Sequence, residues 1–154
     1  MPKRMKLSSD AVADYAVIGI ACHLKDYRVA FLLNSKMRFH FNRITDLVIR
    51  EGEAGLHYSL YEYLHKDERR SYFLIENHHP EGRLVSDQKG VDYFLVVNDV
   101  LDPARVKALV KAIQEIPQVL AAFPIDVSKI RNAQNLFEEL ELQLLDQKKS
   151  RKMA

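Results

Sequence analysis

One stretch near residue 95 constrains the fold of this chain more than any other. A strand is predicted over 92–97, where the residues after Asp92 are apolar at both alternating positions, as in a central strand covered on both faces. Asp102 can then cap a helix whose first position is Pro103, where no backbone N–H is needed. A further strand is predicted over 119–125. Because β-α-β crossovers are right-handed, we expect these two strands to run parallel.

The rest of the chain supplies further strands and helices around this unit. A second strand that is apolar on both faces is predicted over 15–23, and three strands with period-two alternation lie between 38 and 77. Amphipathic helices are predicted over 24–37 and 132–149. In the first of them, the apolar stripe comprises Leu24, Tyr27, Ala30, Phe31 and Met37.

These elements predict an α+β fold, in the order β-α-β-β-β-β-α-β-α. We expect a mixed β-sheet of five to six strands with three helices, mainly on one face. A single domain is expected over 11–149, with disordered ends at 1–10 and 150–154. The following residues are expected in its core: Val17, Ile18, Ile20, Phe94, Leu95, Val96, Val110 and Ile113.

Composition narrows the compartment and the partners. No apolar run approaches the roughly 18 residues that span a bilayer, and the basic start of the chain leads into Leu7–Asp10 rather than an apolar segment. The single Cys22 lies in an apolar run, which is typical of a small buried side chain. We therefore expect a cytoplasmic protein without a membrane segment. Its net charge of +2 makes a nucleic-acid partner unlikely, and the basic residues at both ends are expected to be solvated.

A tripeptide at the start of the central strand carries a family resemblance. Val91-Asp92-Tyr93 follows Val85-Ser86-Asp87 after three residues, and in both order and spacing this resembles the signature of the IPExxxVDY family of small bacterial proteins. The first half departs from that signature, since Ser86 replaces the proline. The resemblance extends to 26–30, 91–95 and 135–137. It implies no catalytic residue, because the family has no established activity.

Residues that could bind metal or catalyse a reaction are scattered. His78 and His79 are adjacent, so their side chains point apart in an extended loop, and no standard zinc spacing is present. We expect no metal and no cofactor. The five glycines are dispersed and form no phosphate-binding loop. An enzyme without a recognisable motif stays open, but the pattern favours a protein that is not an enzyme.

Three polar residues beside the central strand are weak candidates for a binding site. Asp92, at the amino end, could act as a general base or bind a ligand, but it could equally accept loop N–H groups or pair with Arg83. Asn98 and Asp99 are better placed for a ligand, since sites in open α/β sheets lie at the carboxyl ends of strands. Asn and Asp are also common in turns.

Aromatic residues concentrate in the predicted hairpin. Exposed rings flanked by Arg69 and Arg70 could stack on RNA bases, whereas cross-strand aromatic pairs more often stabilise a sheet. The aromatic residues are Tyr58, Tyr61, Tyr63, Tyr72 and Phe73. The hairpin could equally bind a protein partner, because tyrosine is enriched in interfaces.

The leading hypothesis is a non-catalytic interaction or regulatory module, with a nucleic-acid-binding accessory protein as the alternative. On a helical wheel, the last helix places Leu142 and Leu145 nearly opposite its main stripe of Ala133, Leu136, Phe137, Leu140 and Leu144. Those two leucines predict a homodimer through this helix.

Overall fold

A computed structural model describes residues 15–51, 54–79, 83–85, 88, 90–130 and 133–153. Its strands are β1 (Ala16–Ala21), β2 (Asn42–Glu51), β3 (Ala54–His65), β4 (Arg70–Glu76), β5 (Tyr93–Val97) and β6 (Ala121–Ile125). The helices are α1 (Asp26–Met37), α2 (Pro103–Gln114) and α3 (Ala133–Met153). A short 3-10 turn, Val127–Lys129, precedes α3. The α+β class and the order of elements are confirmed. The predicted disordered segment 1–10 lies outside the described residues.

The strands form one sheet in the order β2-β3-β4-β5-β1-β6. Each neighbouring pair is antiparallel, so the sheet is not mixed in its hydrogen bonding. β5 and β6 do run parallel, as the β-α-β pattern predicts. β1 lies between them and pairs with both, because the helical crossover is long enough to span an intervening strand.

The helices cover both faces of the sheet. α1 and α2 pack against one face, which contains Ile18, Ile20 and Leu95. α3 packs against the other face, through Phe137 and Leu140. Burial on both sides explains the apolar character of β1 and β5, and all eight predicted core residues are buried.

The apolar stripe of α1 differs from the predicted one. Val29, Ala30 and Leu33 face the sheet and are buried, whereas Tyr27 and Phe31 are 60% and 68% exposed. One side of this 12-residue helix packs on the sheet, and Val29, Ala30 and Leu33 occupy it. The two aromatic rings therefore point away from the core.

Both edges of the sheet are protected from further pairing. On β2, the register shifts between Ile44 and Leu47, and the side-chain amide of Gln143 in α3 bonds the backbone there. Its Oε1 accepts the N–H of Val48 at 2.8 Å, and its Nε2 donates to the C=O of Asp46 at 2.9 Å. The opposite edge strand, β6, contains Pro124, which has no N–H to offer.

α3 extends further than predicted. Its backbone is helical to Met153, beyond the predicted end of the helix at Lys149. The sequence after Lys149 contains no glycine or proline to end the helix. In the part of the chain that the structure covers, no helix has the combined length and apolar character that crossing a bilayer requires.

Candidate functional site

Asp92 lies where β5 begins and links it to two other segments. One carboxylate oxygen accepts the backbone N–H of Cys22 at 2.8 Å, and the other contacts Nε2 of His78 at 2.5 Å. The Asp92 backbone is bonded as well, since its N–H donates to Ile20 O at 2.9 Å. The predicted role as an acceptor of N–H groups therefore matches this geometry. The base beside Asp92 is His78, not Arg83.

Asn77 organises the loop between β4 and β5, and the sequence analysis did not single it out. Its side chain is fully buried, and its hydrogen-bond partners among the described residues are backbone groups. Oδ1 accepts the N–H of Val85 at 2.8 Å, while Nδ2 donates to Val91 O at 2.8 Å and to Gln88 O at 3.1 Å. A polar residue directly after an apolar strand was the available signal, but its partners are up to 14 residues away.

These contacts give structural roles to Val85 and to Val91-Asp92-Tyr93. Val85 and Val91 bond to Asn77, Asp92 bonds to Cys22 and His78, and the hydroxyl of Tyr93 donates to Leu24 O at 2.5 Å. Burial raises the pKa of Tyr93, so its hydroxyl stays a donor. The Val91-Asp92-Tyr93 tripeptide thus joins a loop, the end of β1 and the entry to α1.

Several ionisable side chains lie close to Tyr93 on the α1 side of the sheet. Burial raises the pKa of Glu76, an effect partly offset by the hydroxyl of Ser59, which donates to it at 3.1 Å. Asp26, in the first turn of α1, accepts bonds from Arg43 and Tyr61, each at 3.0 Å. Burial, followed by the bond to Asp26, raises the pKa of Tyr61 to about 12.

The carboxyl end of β5 is a network of charges around Arg70, whose side chain is 12% exposed. Asp99 accepts two bonds from the guanidinium of Arg70, both at 2.9 Å. Arg70 also contacts Glu68 at 3.0 Å, and Glu68 contacts Arg105 at 2.7 Å. The bond from Arg105 lowers the pKa of Glu68. Asn98 is exposed, and its backbone N–H donates to Ser71 O at 2.9 Å.

The three candidate residues do not converge on one site. Asp92 is separated from Asn98 and Asp99 by the whole of β5, about 17 Å for a strand of this length. A groove of about 730 Å³ lies elsewhere, against the end of β3, and is lined in part by His40, Tyr63 and Lys66.

The chemistry available at the Asp92 end is limited. A carboxylate that orients an imidazole can support general base catalysis, and His78 is 43% exposed. The thiol of Cys22, however, is buried and donates to Gln118 O at 3.4 Å. Among the described residues, no group of three or more His, Cys, Asp or Glu side chains is arranged to hold a metal ion.

The aromatic residues of the β3–β4 hairpin pack against one another and against the core. Tyr58, Tyr61, Tyr72 and Phe73 are each at most 5% exposed, and Tyr63 stacks on Tyr72 with ring centroids 5.4 Å apart. These four buried rings cannot stack on bases, whereas Tyr63 is partly exposed and lines the groove at the end of β3.

The comparisons with protein families and curated proteins assign no function, so a functional proposal rests on the geometry described above. No protein-family model matches the chain, and no curated protein matches it either.

Proposed function

We propose that this protein is a non-catalytic interaction or regulatory module of the cytoplasm that acts as a homodimer through α3. One observation carries the proposal: Leu142 and Leu145 are 57% and 55% exposed, while the opposite stripe of the same helix is buried. Two large apolar side chains one turn apart gain free energy when a partner covers them. The resemblance to the IPExxxVDY family fits a protein without catalytic residues.

The charges along α3 support a second copy as that partner. In sequence, the helix is acidic from 138 to 146 and basic from 148 to 152. In an antiparallel pair that crosses between Leu142 and Leu145, residues 138 and 139 of one copy lie level with 149 and 148 of the other. By sequence position, the acidic part of one copy then lies level with the basic part of the other at both ends of a two-fold interface.

The polar residues near β5 support a non-catalytic role. Asp92 and Asn77 bond to backbone groups of neighbouring segments, and Asp99 is held in an ion pair. These contacts stabilise the fold. An enzyme would need such groups to face a substrate cavity instead.

Light scattering over a range of concentrations tests the dimer. We expect a mass near twice the 17.9 kDa of the chain, and Leu142→Glu should return the mass of one chain with an unchanged circular dichroism spectrum. Leu120→Glu is the matched control, since Leu120 is 63% exposed at the start of β6 and should leave the dimer intact. A single-chain mass at every concentration would contradict the proposal.

A further inference from the structure

The two helices on one side of the sheet present a basic outer surface, called here the two-helix face. Its six exposed cations form no ion pair with any residue that the structure describes. They are Lys25, Arg28, Lys36 and Arg38, in and around α1, and Lys107 and Lys111, on α2. Other arginines of the protein are neutralised: Arg43 pairs with Asp26 and Asp46, and Arg105 pairs with Glu68.

Carboxylates are scarce on the two-helix face. Asp26 is only 17% exposed and is held by Arg43 and Tyr61. Asp102 caps α2 by accepting the N–H of Arg105 at 2.9 Å. Glu115, at the end of α2, is the remaining exposed acid on the two helices as described. Six cations without an ion-pair partner among the described residues, with few carboxylates beside them, give the two-helix face a net positive charge.

Two aromatic rings lie among these cations. Tyr27 and Phe31 are 60% and 68% exposed and are one helical turn apart, so their Cβ atoms are about 5–6 Å from each other. Arg28 lies in the same turn. The aliphatic side chains of α1 that could have accompanied the rings are instead buried against the sheet.

We propose that the two-helix face binds single-stranded nucleic acid. The cations of α1 and α2 contact phosphates, and unpaired bases stack on Tyr27 and Phe31. Aromatic rings interspersed with Lys and Arg are the combination that single strands require, because every base offers a flat face and every nucleotide a negative charge. A duplex hides its base faces, so the rings would gain little from it.

Other occupants fit this surface less well. An amphipathic helix that lies in a membrane inserts its whole apolar face, but Val29, Ala30 and Leu33 of α1 are already buried in the protein. The two ends of this chain are themselves basic in sequence, so neither offers a charge complementary to the two-helix face.

The small net charge of the chain conceals this surface. Acidic residues of α3 lie on the opposite side of the sheet, where Glu138, Glu141 and Asp146 are exposed. They offset the cations in the net charge of +2 without lying near them. The two-helix face does not involve Leu142 or Leu145, so this proposal holds whether the protein is a monomer or a dimer.

Fluorescence anisotropy with a labelled single strand of about 16 nucleotides tests the proposal. We expect binding that weakens steeply between about 50 and 200 mM salt, with a log–log slope of about −3 to −4 for four to six phosphate contacts. A duplex of the same length should bind more weakly. Circular dichroism of each variant checks that it is folded, which is expected because every altered side chain is exposed.

Two pairs of variants separate the charge contacts from the stacking. Arg28→Glu with Lys36→Glu should weaken binding at least tenfold and reduce the slope by about 1 to 1.5. The matched control is Arg83→Glu with Lys129→Glu, which reverses two exposed cations outside both helices. Tyr27→Ala with Phe31→Ala should weaken binding about tenfold or more without changing the slope. Val100→Ala with Leu120→Ala is its control, because these side chains are 65% and 63% exposed elsewhere.

Three results would overturn the proposal. One is the absence of binding at the lowest salt concentration. Another is binding by the Arg28 and Lys36 double variant that equals binding by the wild type. The third is binding to vesicles containing phosphatidylserine, lost in the same variants, without binding to the oligonucleotide.

Discussion

The two ends of β5 carry carboxylates that the protein uses in different ways. Asp92, at the amino end, is 14% exposed and accepts a backbone N–H from Cys22 while it contacts His78. Asp99, at the carboxyl end, is 42% exposed and pairs with Arg70. A carboxylate that bonds to backbone inside a closed junction is part of the fold, whereas water screens an exposed ion pair. Residue type alone therefore says little about what each acid contributes.

The connections at the two ends explain this difference. A loop of 16 residues joins β4 to β5, and it needs a buried polar side chain, Asn77, to bond its backbone. Only five residues join β5 to α2, and Asp102 caps the helix directly. A long loop beside the core must have its buried N–H and C=O groups satisfied, whereas a short exposed one can leave them to water.

A substitution in the middle of β5 should give the largest loss of stability, with which substitutions at the two ends can be compared. Leu95 has no exposed surface, so Leu95→Ala should lower the free energy of unfolding by about 2–5 kcal/mol through lost burial and a cavity. Urea denaturation measures this loss. The control, Val100→Ala, truncates a side chain that is 65% exposed and should cost less than about 0.5 kcal/mol. Equal losses in the two variants would contradict the central position of β5.

The loop at the amino end should come next in size. Asn77→Ala leaves Val85 N–H, Gln88 O and Val91 O without their side-chain partner, and we expect a loss of about 2–4 kcal/mol in the free energy of unfolding. Asn77→Asp keeps an acceptor for Val85 but places charge against two carbonyls, so its loss should diminish at acid pH. Asn98→Ala, at the exposed end, is the control. If Asn77→Ala left the free energy of unfolding unchanged, the loop would not depend on this residue.

The two carboxylates can be compared directly. Asp92→Ala should cost about 1–3 kcal/mol, because it removes the acceptor for a backbone N–H in a junction. Asp99→Ala should cost less than about 1 kcal/mol, because Asp99 is 42% exposed and Arg70 keeps its contact with Glu68, and high salt should reduce that cost further. Denaturant titrations at low and high salt measure both. A larger loss for Asp99→Ala would reverse the contrast between the ends of β5.

The smallest expected effect is that the stability contributed by Glu76 and that contributed by Glu68 change with pH in opposite directions. The pKa of Glu76 is raised above 4.5, so its contribution to stability falls as pH rises from that value through the folded pKa. The pKa of Glu68 is lowered below 4.5, so its contribution is present above that value and is lost as pH falls through the folded pKa.

Thermal melting of glutamine variants at several pH values should reveal both pH dependences. At neutral pH, Glu76→Gln should leave the melting temperature equal or higher, because burial no longer opposes a charge. Glu68→Gln should lower it slightly at neutral pH and have no effect in strong acid. If the melting temperatures of the two variants, each taken relative to the wild type, changed with pH in the same direction, the contrast between Glu76 and Glu68 would be contradicted.

Much of the fold could be predicted from local patterns. The order of strands and helices is as expected, and Ile18 and Leu95 are as buried as their two-sided apolar strands indicated. The stripe of α1 was harder to predict, because Tyr27 and Phe31 fit a helical period as well as Val29 and Leu33 do. Periodicity shows that a helix has an apolar side, but only packing on the sheet selects which residues occupy it.

The candidate site was less predictable than the fold. Asp92 was recognised as an acceptor of hydrogen bonds, but its partners, Cys22 and His78, lie 70 and 14 residues away in the chain. Asn77 directly follows β4, and no sequence pattern indicated its contacts with the loop. Polar side chains make specific contacts over long sequence distances, and no local period marks them.

By itself, the sequence determined which segments are strands and helices, where α2 begins and which side chains avoid water. These properties follow from alternation, capping and hydrophobicity over a few neighbouring residues. Only the tertiary structure decided that β1 lies between β5 and β6, that Asp92 contacts His78, and that α1 and α2 pack on the same side of the sheet. The physical reason is that strand neighbours and surface fields arise from residues far apart in the chain, which come together only when the core has formed.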